Sequence, residues 1–263
     1  TPSAWFWLAF TLLATVTFNR SGAFHSFNSA LSGTIAAIFQ VHNYWMTKCF
    51  GHYDCGANFY YWTLSLEEQF YLLLPFSIFI FRRWLPHILI CLIVFQIFYP
   101  NRSALMVAFR TDALLLGVLI ALWTKSTSYH SFQSKFLGPL TWGRHMIVFS
   151  LLAAMATDRL IYDGILAAFG FGVIAIICAT LVLIGSYDKA YLMPTGVPKN
   201  LLIWLGSRSC SIYLAHIPAL LLTKEIWYRV TPAGTVFDSH FTVPFILSGI
   251  SIVFILSEFS YRL

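Results

Sequence analysis

Glu67 and Glu68 stand side by side in the stretch YYWTLSLEEQFYLLLP at residues 60–75, at the mouth of an apolar run. Adjacent carboxylates in such surroundings can take protons, orient a base or hold hydroxyl groups. On a helix, Glu67 and Tyr71 share one face, four residues apart, while Glu68 is turned about 100° away toward Ser65 and Leu72. Pro75 has no N–H to offer the Tyr71 carbonyl, which leaves an acceptor open on the same helix. A structural reading competes: Ser65 followed three residues later by Glu68 is a capping-box pattern, and acids in a first turn complement the helix dipole. The two readings are compatible, because a cap that fixes the helix start also aims Glu67 and Tyr71.

Two further groups carry chemistry. Arg110 and Asp112 are two apart, so on a continuous helix they diverge by about 200° and each needs another partner. If 108–112 is instead extended or a turn, they form a neighbour ion pair. His216 precedes Pro218 in an apolar run, with Tyr213 one turn earlier, a spacing that can line a cavity. His42, His130, His145 and His240 stand alone and read as surface or interface residues. Cys49 and Cys55 bracket the polar loop CFGHYDC, where a disulfide is one expectation. A metal held there with His52 and Asp54 is a weaker one, because the spacing matches no common zinc pattern. Cys91, Cys178 and Cys210 lie in apolar runs as small hydrophobes.

What must position these residues is a membrane fold. The 263 residues are 59% hydrophobic, 18% aromatic and only 10% charged, with a mean hydropathy of +0.74, more apolar surface than a soluble core of this size can hide. The expectation is an all-α polytopic integral membrane protein with about eight spans, near 4–18, 62–81, 86–99, 106–123, 145–157, 164–186, 201–223 and 242–258. The stretch 29–45 is apolar but broken by Ser32, Gly33, Gln40, His42 and Asn43, and is placed at the interface or as a re-entrant piece. Pro75, Pro100, Pro218 and Pro244 fall within or beside spans, where each can kink a helix. No internal repeat or soluble extra domain is visible, so residues 1–263 read as one transmembrane domain.

Charge gives a weaker signal. A chain that begins inside would carry nine of its sixteen basic residues on inner connections, with Arg82-Arg83 the most compact pair. The other seven, Arg20, Lys48, Arg102, Arg110, Arg159, Lys224 and Arg229, would lie outside. The net charge of +6 suits anionic lipid or a phosphorylated ligand, and no nucleic-acid motif appears.

WTLSLEEQFYLLLP resembles the signature W-S-L-S-V-E-E-Q-F-Y-L-L-x-P of the acyltransferase-3 family, membrane enzymes that mostly acetylate hydroxyls of bacterial surface sugars. Trp62, Ser65, Glu67, Glu68, Gln69, Phe70, Tyr71 and Pro75 match in register. RTDALLLG at 110–117 is similar to R-x-D-A-L-x-x-G, with Arg110, Asp112 and Gly117 aligned. LGSRSCSIYLAHIP at 205–218 resembles L-G-x-x-S-Y-S-x-Y-L-x-H-x-P through Ser209, Ser211, Tyr213, His216 and Pro218, with Cys210 replacing an aromatic. The closing LSEFSYRL looks like the start of S-E-x-S-Y-R-x-I-E-x-P.

The resemblance implies acyl transfer, most simply acetyl from cytosolic acetyl-CoA, to hydroxyls of cell-surface or extracellular carbohydrate by a protein of the bacterial inner membrane. Acetyl-CoA would be a donor substrate and not a bound cofactor, and no metal is expected. Glu67, Glu68, Arg110, Asp112 and His216 would be catalytic; Trp62, Ser65, Tyr71 and Tyr213 would bind substrate. Family members have about ten spans, with a basic residue and a catalytic His in the first. This chain has no such segment, which implies that two N-terminal spans are missing and that the piece alone transfers nothing. A transporter or flippase for a lipid-linked sugar is the rival reading, since intramembrane charges also line paths. Paired halves and matching interrupted helices, which that reading favours, are not visible.

Overall fold

The computed structural model describes residues 2–98, 104–132, 141–156, 170–187, 196–232, 235, 237 and 239–263. Every regular element among the described residues is helical, as expected. In chain order these are α1 (Pro2–Thr17), α2 (Phe27–Ile38), α3 (His42–Cys49), α4 (Tyr61–Phe81), α5 (Leu85–Phe98), α6 (Ala104–Ala108), α7 (Asp112–Trp123) and α8 (Thr127–Phe132). They continue with α9 (Thr141–Ala156), α10 (Gly170–Ser186), α11 (Val197–Ser207), α12 (Ser209–Val230) and α13 (Ser239–Arg262). A 3-10 turn, Arg82–Trp84, joins α4 to α5.

Among the described residues, Tyr61–Phe98, Met106–Trp123 and Ser239–Arg262 are long and apolar enough to cross a bilayer. Pro2–Thr17, Phe27–Ile38, His145–Ala154 and Gly170–Ser186 are shorter apolar helices. The chain is an integral membrane protein, and among the described residues three helices of full spanning length are seen, which does not confirm the expected count of about eight. The run 106–123 is interrupted at Phe109–Thr111, and 201–223 is interrupted at Arg208. The start of 164–186 lies outside the described residues, as do Pro100, Arg102, Lys135, Arg159 and Lys189.

The helices gather into two compact units, Thr1–Leu66 with Leu201–Leu263, and Glu67–Asn200, the boundary falling inside α4. The first unit is built around Trp7, Leu8, Ala37, Tyr60, Tyr61, Leu214 and Ala215. Backbone polar groups at membrane depth need protein partners, and side chains must supply those that helices do not. Thr11 of α1 donates to Asn58 Oδ1 at 2.7 Å, and Asn58 Nδ2 donates to Thr34 of α2 at 2.9 Å. All three side chains are buried, so the polar link is closed on itself. Ser26 caps α2 by accepting the Ser29 N–H. Gly56, at φ +80°, lies against that helix start, and a Cβ there would sit 2.8 Å from the Ser29 carbonyl oxygen.

In the second unit, Leu85, Leu89 and Ile93 of α5 pack with Leu115 of α7. Gly172 brings α10 close to α5, since a Cβ would meet Ile97 at 3.1 Å. The break before α7 is held by Gln96, which accepts the Thr111 N–H and donates to the Thr111 hydroxyl, both at 3.1 Å.

Candidate functional site

Pro218 organises the first unit's site. It lies inside α12 and lacks the N–H that would satisfy the carbonyl four residues earlier, that of Leu214. Leu214 is 1% exposed, so water does not reach that carbonyl freely. The Tyr60 hydroxyl donates to it at 3.2 Å, tying the residue that precedes α4 to the kinked helix. The Tyr60 carbonyl in return accepts the Tyr213 hydroxyl at 2.6 Å. Thr63 completes the cluster through a hydroxyl contact with Tyr213. The rings of Tyr60 and Tyr213 flank His216, with centroids 5.6 and 5.4 Å from its imidazole.

His216 Nδ1 faces the Tyr213 carbonyl. A carbonyl only accepts, so Nδ1 carries the proton in the neutral ring and Nε2 is left with the lone pair. The cluster therefore presents an oriented imidazole, half-buried, whose Nε2 has no hydrogen-bond partner among the described residues and can accept a proton. Tyr213 and His216 are brought together as the sequence suggests. Tyr60 and Thr63 were missed, although the signal was present: an intrahelical proline announces a carbonyl in need of a donor.

The closing stretch joins the same unit. Arg208, in the break between α11 and α12, donates to Glu258 of α13 at 2.6 Å, and its guanidinium lies 4.4 Å from the Tyr261 ring centroid. Arg262 also reaches Glu258, at 3.0 Å. Trp7 Nε1 donates to the Ser260 hydroxyl at 3.1 Å. Ser209 and Ser211 begin α12, so Arg208 pins the start of the helix that carries Tyr213 and His216.

A second ion-pair centre was not foreseen. Glu225 of α12 is fully enclosed and accepts three donors: the Arg229 guanidinium at 2.8 Å, the Arg20 N–H at 2.9 Å and the Ser21 N–H at 2.8 Å. It lies just beyond the expected span. Burial pushes its carboxyl up, but the bonds from Ser21, Arg229 and Arg20 outweigh that and hold it down at about 2.

Arg110 and Asp112 lie in the second unit. The helical divergence that would force each to seek another partner does not apply, because α6 ends at Ala108 and α7 begins at Asp112. In the non-helical link, Arg110 Nε and Nη2 donate to the two Asp112 oxygens, both at 2.8 Å. Nη2 also reaches the Phe171 carbonyl at 2.5 Å, and the guanidinium lies 4.5 Å from the Phe171 ring centroid. Asp112 is 2% exposed, so this is a buried bidentate pair that locks α7 to α10. Glu67 is half-buried and Glu68 exposed, and neither makes a hydrogen bond or ion pair among the described residues. Tyr71 is exposed and Trp62 half-buried.

Two sequence expectations are corrected. Ser65 is not a cap, since α4 already starts at Tyr61. The start is set instead by the buried Tyr60 and Tyr61, the latter donating to the Ala4 carbonyl at 2.8 Å. Ser65 sits in the second turn, 1% exposed, and accepts the His42 backbone N–H at 3.3 Å. His42 is not a surface residue: it is fully buried, and neither ring nitrogen has a hydrogen-bond partner among the described residues. Gly33 admits it, with His42 Nε2 only 3.4 Å from where a Cβ would stand.

Cys49 and Cys55 form a disulfide, with Cα atoms 5.2 Å apart. Their sulfurs are thereby closed to a metal. His25 Nδ1 pairs with Asp54 of the same loop at 2.8 Å. Among the described residues no three His, Cys, Asp or Glu side chains gather as metal ligands would.

No protein-family model matches the chain, and no solved structure matches it. Curated proteins do. It is 28% identical over 225 residues to the O-acetyltransferase OatA of Staphylococcus aureus, a match that covers 74% of this chain and 35% of that protein. It is 26% identical over 254 residues to the peptidoglycan O-acetyltransferase OatA of Listeria monocytogenes, covering 87% of this chain and 38% of that protein. The chain thus spans little more than a third of the length of these relatives. Over most of its own length, this membrane chain is similar to bacterial O-acetyltransferases.

Proposed function

We propose that the chain is the membrane part of an O-acyltransferase, of the acyltransferase-3 type with about eight spans in these residues, in a bacterial inner membrane. It would transfer acetyl from acetyl-CoA to a hydroxyl of cell-surface carbohydrate. The name of the Listeria monocytogenes relative favours peptidoglycan as the acceptor. The observation that carries the reading is the His216 imidazole, whose Nδ1 is bound by the Tyr213 carbonyl and whose Nε2 is free to take a proton.

In the reaction, Nε2 is assigned the part that the resemblance gives to a His in a preceding span: it takes the proton of the acceptor hydroxyl as its oxygen attacks the thioester carbonyl. The tetrahedral intermediate collapses with loss of the CoA thiolate, which regains the proton from the imidazolium, giving the acetyl ester and free CoA thiol. The Tyr213 hydroxyl is committed to the Tyr60 carbonyl and Thr63 bonds to that hydroxyl, so the two position the imidazole. Arg110 holds the Asp112 carboxylate rather than a substrate anion, because two of its nitrogens are committed to it. Glu67 and Glu68, without protein partners among the described residues, are assigned to hydroxyl or proton binding.

The test is ester-linked acetate on the cell wall of cells whose chromosomal copy carries His216→Ala or His216→Gln, with protein levels matched. Both variants are expected to lose acetate by about 100-fold or more, the ordinary contribution of a general base. Near wild-type acetate in both would reject His216. Unchanged acetate in Glu67→Gln and Glu68→Gln would remove the carboxylates from the reaction.

A further inference from the structure

A cavity of about 600 Å³ lies in the first unit between α12, α13 and the loop that follows α1. Its wall is mostly apolar and aromatic, with Trp227 of α12 and Phe241, Phe245 and Ile246 of α13; Lys224 supplies a charge, and Ser21, Tyr228, Thr235 and Thr242 supply hydroxyls. That volume is typical of a site for a small molecule or a lipid segment, and far too large to be a packing defect. Trp227 does not offer its N–H to a ligand, since it donates to the Ser248 hydroxyl at 3.0 Å. Trp227 and the three α13 side chains therefore form an apolar face, suited to hydrocarbon.

Lys224 supplies the charge. Glu225, next in sequence, is turned about 100° away on the helix and is spent on Arg229, Arg20 and Ser21. Among the described residues Lys224 has no salt bridge. A lysine without an acid partner among the described residues, beside an aromatic trough, matches an amphiphile with an anionic head and apolar chains.

The loop that carries Ser21 also carries His25, and His25 pairs with Asp54 of the disulfide loop at 2.8 Å. The cavity thus lies at the end of the unit that bears the Cys49–Cys55 bond. Disulfides persist in oxidising compartments, which places this end away from the cytosol.

We propose that this cavity binds an anionic phospholipid of the outer leaflet, its phosphodiester at Lys224 and an acyl chain along Phe241, Phe245 and Ile246. The site is separate from the His216 cluster and does not depend on the acyl-transfer reading. It would hold one lipid specifically in a membrane whose other lipids exchange freely.

Native mass spectrometry of the purified protein, titrated with phosphatidylglycerol or phosphatidylcholine of equal chain length, tests it. One phosphatidylglycerol is expected to stay bound where phosphatidylcholine is stripped. Lys224→Gln should lower its retention about fivefold, the usual worth of one lysine at an anionic lipid, and Phe245→Ala should lower retention of both lipids. Glycerol phosphate, which has the head without the chains, should not compete at equal concentration. Equal retention of the two lipids, or retention unchanged in both variants, would overturn the proposal. So would displacement by glycerol phosphate, which would mark a simple phosphate site, or by a chito-oligosaccharide, which would mark a glycan site.

Discussion

The bond between the Tyr60 hydroxyl and the Leu214 carbonyl exists because Pro218 cannot make it, and this dependence can be measured. Tyr60→Phe keeps the ring, and with it the packing on Tyr61 at 4.8 Å and His216 at 5.6 Å. What it removes is the donor to a carbonyl that is buried on a 1% exposed residue. Leaving a buried acceptor unsatisfied costs about 1–3 kcal/mol. Pro218→Ala restores an N–H at the position that normally serves the Leu214 carbonyl, so in that background the hydroxyl becomes dispensable. Tyr60→Phe should then cost well under half of what it costs beside Pro218, a coupling of about 1–2 kcal/mol for groups in direct contact. The four proteins of this cycle, purified in one detergent, would be unfolded with denaturant and followed by tryptophan fluorescence. An equal cost of Tyr60→Phe in both backgrounds would show that the proline does not create the need for Tyr60, and the account of the site's assembly would fall.

Two other perturbations have defined outcomes. Glu225→Gln removes the charge facing Arg229 and should destabilise the protein by about 3 kcal/mol at neutral pH, the scale for breaking an enclosed pair. Because the folded carboxyl is held at about 2 against an ordinary 4.5, its stabilisation is complete above pH 4.5 and is lost as pH falls toward 2. The gap in unfolding midpoint between wild type and Glu225→Gln should accordingly close over that window; a gap constant with pH would refute the assignment. Arg110→Lys replaces a two-pronged donor by a point charge that cannot serve both Asp112 oxygens and the Phe171 carbonyl, and should cost about 2 kcal/mol or more in thermal stability. A loss below about 0.5 kcal/mol, the level of an exposed pair, would show that the bidentate geometry contributes nothing.

Legibility from sequence followed the range of the interactions. The helical, lipid-embedded character was readable because composition and run length report on the solvent, and that survives any detail of packing. Tyr213 with His216 was readable because their i, i+3 spacing is local to one helix. Arg110 with Asp112 hinged on whether the backbone between them is helical, and that is decided by the Gln96–Thr111 bonds, fifteen residues apart. Ser65 followed the local capping rule in type and spacing, yet Tyr60 and Tyr61 are held by α12 and α1, and those distant contacts start the helix earlier. Glu225 was invisible because two of its three donors are backbone N–H groups some two hundred residues away, which no side-chain pattern announces.

The Thr11–Asn58–Thr34 link has a bearing on how the chain assembles. Asn58 follows both of the helices it joins, so α1 and α2 are made before their clasp exists. In the interim neither hydroxyl is stranded: Thr11 donates to the Trp7 carbonyl of its own helix at 2.9 Å, and Thr34 to that of Ala30 at 2.7 Å. Each helix can therefore partition into lipid on its own, and the later arrival of the asparagine amide fixes their register: its Nδ2 adds a donor to the Thr34 oxygen, and its Oδ1 takes the Thr11 proton over from the helix carbonyl. A polar bridge built in this order is a late latch, and places no barrier before insertion.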